Sequence, residues 1–155
     1  MKHILFVCSG NTCRSPLAEG IARSLLGGRD GYSVSSAGTS ASEGVPASSN
    51  SAEVASEHGI DLAGHRSRLL SGTLVREADL IVTMGGGHME TVGAIEPGAL
   101  AYTCLLSDFS EQLDGDIDDP IGGGLDTYGR TYENLLAGIQ AMLDGLDGFD
   151  GWKKG

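Results

Sequence analysis

The sequence predicts an α/β domain built on an open parallel sheet with helices on both faces, and three observations predict it. The segments His3 to Val7 and Leu80 to Met84 are continuous apolar runs, the signature of strands buried on both sides. Segments of helical period alternate with the strands, and such alternation gives right-handed βαβ units. The chain has 155 residues, the length of one domain, and no repeat or composition shift divides it.

The first strand, His3 to Val7, runs straight into a polar turn, Cys8-Ser9-Gly10-Asn11-Thr12-Cys13-Arg14-Ser15. Pro16 suits the first turn of the helix that follows. In that helix Leu17, Ile21 and Leu25 share one face, and Gly27-Gly28 closes it. Tyr32 to Ala37 alternates enough for a second strand, and Gly38 to Pro46 is a loop. Ser48 or Ser49 caps a second helix that runs to about His58 and stops at Gly59. Ser71 to Ala78 reads as a short helix, Leu80 to Met84 as the third strand, His88 to Ile95 as a helix, and Ala99 to Leu106 as holding a fourth short strand. Ser107 to Gly124 is rich in Asp and Gly and has no period. Long loops of this kind inside a compact domain tend to be functional. Asp126 is expected to cap the last helix, whose apolar stripe is Tyr132, Leu135, Leu136, Ile139, Met142, Leu143 and Leu146. The domain is thus expected over residues 1–146, with a flexible tail over 147–155.

Composition narrows the function classes. Ten Lys+Arg against 21 Asp+Glu leave a net charge of −11, which disfavours nucleic-acid backbones and anionic membranes as partners. The apolar runs are far shorter than the ~20 residues that cross a bilayer, and the first is too short for a signal peptide. Three cysteines do not make a disulfide framework, so a reducing, cytoplasmic setting is expected. Twenty-five glycines, about twice the usual share, point to a compact chain with many turns.

In a parallel α/β sheet, ligands bind beyond the carboxyl ends of the strands. The turn after the first strand is therefore where chemistry is expected. It reads Cys8-x5-Arg14-Ser15, between a strand and a helix N-terminus. Successive backbone N–H groups from Ser9, Gly10, Asn11, Thr12, Cys13, Arg14 and Ser15 make an anion nest, and the helix dipole adds positive potential. Arg14 supplies a fork of donors that matches two phosphate oxygens. Cys8 lies at the base of the cradle, where that potential favours the thiolate. A thiolate beneath a bound phosphate is placed for in-line attack on phosphorus, giving a phosphocysteine. The plain alternative is a small buried cysteine ending a strand; the combination of strand, Gly-Asn turn and Ser-Pro helix start argues against it. Zinc ligation by Cys8 and Cys13 lacks a nearby Cys/His pair, and the G-x-G-x-x-G of a dinucleotide site is absent.

A departing group needs a proton, so a carboxylic acid is required elsewhere. Asp119-Pro120 in the long loop is a candidate, with Asp114, Asp116 and Asp118 as rivals that the residues alone do not separate.

Val7 to Pro16 together with Asp119-Pro120 resembles the low-molecular-weight protein tyrosine phosphatase family. Ser35-Ser36-Ala37-Gly38-Thr39, His58-Gly59-Ile60, His65-Arg66-Ser67 and Asp79 to Met84 match the family's order, so the resemblance covers the chain to about Leu146. It implies a four-stranded parallel, Rossmann-like sheet with flanking helices, no metal or other cofactor, and a phosphorylated protein as substrate. It implies Cys8 as nucleophile, Arg14 as phosphate clamp and Asp119 as general acid. It also implies that Ser15 hydrogen-bonds the Cys8 sulfur and that Asn11 braces the loop through Ser36 and His65. A monomer or weak dimer is expected.

Two positions depart from the tyrosine-specific pattern. Thr12 stands where a bulky aliphatic residue is usual, and Asp-Pro is followed by Ile121-Gly122 rather than an aromatic pair. Both resemble the bacterial protein arginine phosphatases of the same family and favour phosphoarginine, with phosphotyrosine as the alternative. Arsenate reduction would need relay cysteines, and Cys104 in a strand is expected to be core packing. A phosphoprotein-binding module would have no use for a thiolate. A protective Cys8–Cys13 disulfide under oxidation is a further possibility of the spacing.

Overall fold

A computed structural model describes all 155 residues. Four strands, β1 (Lys2–Cys8), β2 (Tyr32–Gly38), β3 (Leu80–Thr83) and β4 (Thr103–Leu105), form one parallel sheet in the order β2-β1-β3-β4. Five α-helices accompany them: α1 (Arg14–Leu26), α2 (Ser49–Glu57), α3 (Gly72–Glu77), α4 (Gly86–Ile95) and α5 (Leu125–Asp144). The chain leaves β1 toward β2 on one side and returns to place β3 on the other. The carboxyl end of β1 is therefore the topological switch point, where α/β sheets open a crevice. Cys8 ends that strand, in register with Gly38 of β2.

Strand alternation divides the core. Ile4, Phe6 and Cys8 face a larger cluster with Leu17 and Ile21 of α1 and Leu135, Ile139 and Met142 of α5. Leu5 and Val7 face a smaller one with Val75, Ile81, Val92 and Tyr102. The α1/α5 layer thus supplies most of the burial and fixes the direction in which α1 leaves the polar turn. Gly138 lets α5 come close to the segment after β4: a Cβ there would lie 2.7 Å from Leu106 Cγ.

Several expectations need correction. α1 begins at Arg14, before Pro16, so the end of the polar turn is already helical. Leu25 is 44% exposed; the buried stripe runs through Leu17, Ala18, Ile21, Ala22 and Leu26, because 3.6-residue periodicity drifts off a strict i+4 row. Asp126 does not cap α5. Gly124 is the N-cap and Asp126 sits in the first turn, where an acid is favoured by the helix dipole whether or not it caps. The short fourth strand lies where expected, at Thr103–Leu105 within 99–106, and Pro97 starts a 3-10 helix through Tyr102 that buries Ala99 and Tyr102 ahead of it. The last nine residues carry no helix or strand and most are exposed, but two of their aromatic side chains turn back onto the domain. Trp152 is buried against Tyr32 and Phe149, and the Lys153 N–H donates to the Asp79 carbonyl at 2.8 Å. No helix is long and apolar enough to cross a membrane.

Candidate active site

The turn after β1 is clamped by backbone before any side chain acts. Thr39 N–H donates to the Cys8 carbonyl and Ser40 N–H to the Ser9 carbonyl, both at 2.9 Å. This approach needs Gly38, since a Cβ there would fall 2.4 Å from Ser9 O and 2.8 Å from Asn11 N. Asn11, at φ +56°, is the one non-glycine residue in the left-handed region, a conformation that Asn tolerates better than most.

Asn11 also organises the polar interior of the turn. Its Nδ2 donates to Ser15 Oγ at 2.8 Å and to Ser36 Oγ at 2.9 Å, and its Oδ1 accepts from Arg68 N at 2.9 Å. Those partners fix the amide orientation, because Arg68 N can only donate. Ser15 Oγ accepts from Asn11, so its own proton is free for Cys8 Sγ, 2.9 Å away. Ser36 likewise accepts from Asn11 and donates to Glu19 Oε1 at 2.7 Å. His65 Nε2 donates to the Asn11 carbonyl at 2.7 Å. Cys8 is 2% exposed, and Asn11, Ser15 and Ser36 are buried with it.

Arg14 comes from the first residue of α1 and is 6% exposed. Its Nη1 donates to the Ile117 carbonyl at 2.9 Å, and Nη2 lies 3.4 Å from Ser9 Oγ and 3.5 Å from Asp119 Oδ2. Ile117 is the anchor of the acidic loop: its side chain is buried and its N–H donates to the Met84 carbonyl at 2.7 Å. Asp116 ties the same loop to α4 by accepting from Gly86 N at 3.0 Å. Asp119 stays 42% exposed, its Oδ1 accepting from Ile121 N at 3.1 Å. Of the four candidate acids only Asp119 pairs with Arg14.

The residues match the family described as low molecular weight phosphotyrosine protein phosphatase over positions 3–148. The chain belongs to this family. It is a protein phosphatase, a hydrolase. A probable low molecular weight protein-tyrosine-phosphatase, EpsP, from Ralstonia solanacearum is 41% identical over 144 residues, covering 93% of this chain and 92% of its own. A protein-arginine-phosphatase from Geobacillus stearothermophilus is 37% identical over 143 residues, covering 92% and 95%. The solved YwlE arginine phosphatase from Geobacillus stearothermophilus superposes with a TM-score of 0.88 at 36% identity, covering 96% of this chain and 94% of that one.

Within this phosphatase, the structure brings together Cys8, Asn11, Arg14, Ser15, Ser36, His65 and Asp119 as the sequence predicts. Thr12 is half-buried at the rim, and Gly10 is exposed. Cys13 Sγ is 3.6 Å from Ser48 Oγ and 3.5 Å from the Tyr128 hydroxyl. Burial, with Asp108 adding to it, pushes the Cys104 thiol up to about 12, so it is a poor source of thiolate. Sequence reasoning missed Glu19, Arg68, Ile117 and His88. Ile117 carried a signal, a lone apolar residue in an Asp-rich loop. His88, in α4, is buried with Nε2 2.9 Å from Ser9 Oγ. Burial, then the Arg14 charge, lowers its pKa below the usual histidine value, with Asp116 and Asp119 opposing.

Proposed function

We propose that this phosphatase works through a phosphocysteine intermediate. The observation that carries the reading is the Ser15 hydroxyl, which accepts from Asn11, keeps its own proton free and lies 2.9 Å from the Cys8 sulfur. A hydroxyl beside the sulfur can steady it both as the attacking atom and as the group later released from phosphorus. The N–H groups from Ser9 to Ser15 and the Arg14 fork hold the phosphoryl oxygens while Cys8 Sγ attacks phosphorus. The bond to the leaving atom breaks as Asp119 gives that atom a proton. The Asp119 carboxylate then takes a proton from water, whose oxygen attacks phosphorus and releases phosphate and the Cys8 thiolate. Three protein groups and water balance the reaction, and the substrate is a phosphorylated protein side chain.

Phosphoarginine is the favoured substrate. Thr12 leaves a narrower, more polar wall than a bulky aliphatic residue would. Ile121 is 72% exposed and Gly122 has no side chain, so neither sandwiches a phenyl ring. The exposed Asp119 carboxylate suits a guanidinium. The phosphotyrosine reading, by the same chemistry, is supported by the relatives named as tyrosine phosphatases.

Hydrolysis of para-nitrophenyl phosphate without added metal, inhibited by vanadate, is the expected activity. Cys8→Ser should abolish turnover and keep anion binding; normal turnover in that variant would disprove the mechanism. For substrate choice, kcat/KM on phosphoarginine and phosphotyrosine peptides is compared in wild type and Thr12→Ile. The variant should move toward phosphotyrosine, and the absence of any shift would remove the case for arginine.

A further inference from the structure

The Arg14–Asp119 pair is looser than such a pair ordinarily is. Charge-assisted N–H···O contacts settle at about 2.7–2.9 Å, whereas Nη2 and Asp119 Oδ2 stand 3.5 Å apart. Three contacts hold the two side chains short of full pairing. Arg14 Nη1 is bound to the Ile117 carbonyl, Asp119 Oδ1 is engaged by Ile121 N, and Nη2 is shared with Ser9 Oγ at 3.4 Å. The first two are set by the course of the acidic loop. The third depends on where the Ser9 side chain points, and Ser9 has one other side-chain partner, His88 Nε2 at 2.9 Å.

We propose that His88 is a positioning residue of this active site. It fixes the Ser9 hydroxyl beside Arg14 Nη2, so that the guanidinium is kept for the phosphoryl group and Asp119 is not drawn into a closed ion pair. Arg14 only donates, so Ser9 accepts from it, and the Ser9–His88 bond carries a single proton between them. A neutral imidazole suits this place. Nδ1 is buried with no hydrogen-bond partner, so a protonated ring would bury an unanswered N–H close to the Arg14 cation, with Asp116 and Asp119 acting against that charge. The backbone is built to deliver the ring there. Gly85 caps α4, and a Cβ on it would fall 2.9 Å from the Asp116 carboxylate. Gly86 N binds that same carboxylate, so α4 and the acidic loop lock together with His88 against Ser9.

The inference rests on the phosphocysteine reading, and its test separates the two. Rates are compared on phenyl phosphate, whose departing phenoxide needs the Asp119 proton, and on para-nitrophenyl phosphate, whose departing group needs it far less. His88→Ala should lower kcat/KM on phenyl phosphate by about three- to tenfold, the rate equivalent of one hydrogen bond, and lower the nitrophenyl rate less. Ser9→Ala should reproduce that pattern, the double variant should be no worse than either single one, and His88→Gln, whose amide reaches the same hydroxyl, should restore the wild-type ratio of rates. Unchanged ratios in His88→Ala, or losses that multiply in the double variant, would overturn the inference while wild-type turnover leaves the phosphatase mechanism standing. A wild type inert on both esters overturns the mechanism and the inference together. Should His88→Ala not fold, Ser9→Ala and His88→Gln decide by the same criteria.

Discussion

The turn over residues 8–15 and the loop over 107–124 face one another across Arg14 and are built in opposite ways. In the turn, Asn11, Arg14 and Ser15 are buried and each is bonded to several partners, on α1, β2, the segment around Arg68 and the acidic loop. The acidic loop leaves most of its carboxylates in solvent and is tied mainly at Asp116 and Ile117. The difference suits the two tasks proposed for them. An oxyanion cradle is useful only if its donors are aimed before the anion arrives. A group that gives a proton in one step and takes one in the next must exchange with water.

The sharpest way to break this comparison is at the exposed end. Asp119→Asn should slow turnover of poor leaving groups by about 10²–10⁴-fold, the usual contribution of a general acid, while Asp118→Asn changes it little. Steady-state rates on phenyl phosphate measure both, and equal effects would reassign the acid. At the buried end the cost should fall on stability. Asn11→Ala removes the donors to Ser15 and Ser36 and the acceptor for Arg68 N, and puts alanine at φ +56°. We expect a loss of about 2–4 kcal/mol in urea unfolding. Asn11→Gly, which relieves only the backbone, should recover the smaller part.

The smallest effect is in pH. The His88 pKa is lowered by burial and then by Arg14, and that of His3 by burial, against the opposing charge of Asp79. Each binds its proton more readily in the unfolded chain than in the folded one. Stability is therefore full above the ordinary histidine value near 6.5 and falls as the pH drops below it, until the folded-state pKa is passed. Melting temperatures at pH 7.5 and 5.5 measure the fall, and His88→Gln with His3→Gln should flatten it. A stability that rises on acidification would contradict the sign.

Much of the fold was legible because its signals are short-range. The unbroken apolar runs of β1 and β3, the Ser48 cap of α2 and the glycine ending α1 each lie within a few residues of what they determine. The errors came where one signal has two meanings. An acid near a helix start serves as cap or first-turn charge, which misplaced the start of α5. A short apolar stretch after Pro97 reads as strand or 3-10 turn, which left the bounds of β4 within 99–106 open. Trp152 and Phe149 look like tail residues in sequence, and only Tyr32 and the edge of the core give them a surface to cover.

The order Cys8 to Ser15 by itself put a run of backbone N–H groups, a sulfur and an arginine into one turn between a strand and a helix, which is what the proposed anion cradle needs. Which acid would face Arg14 was decided by tertiary structure, since four aspartates share an aperiodic loop and the burial of Ile117 together with the Asp116–Gly86 contact sets their order in space. The same holds for His88, Arg68 and Glu19. Nothing in their own neighbourhoods marks them, and they meet the turn because the packing of the sheet and its helices brings distant segments to the carboxyl end of β1.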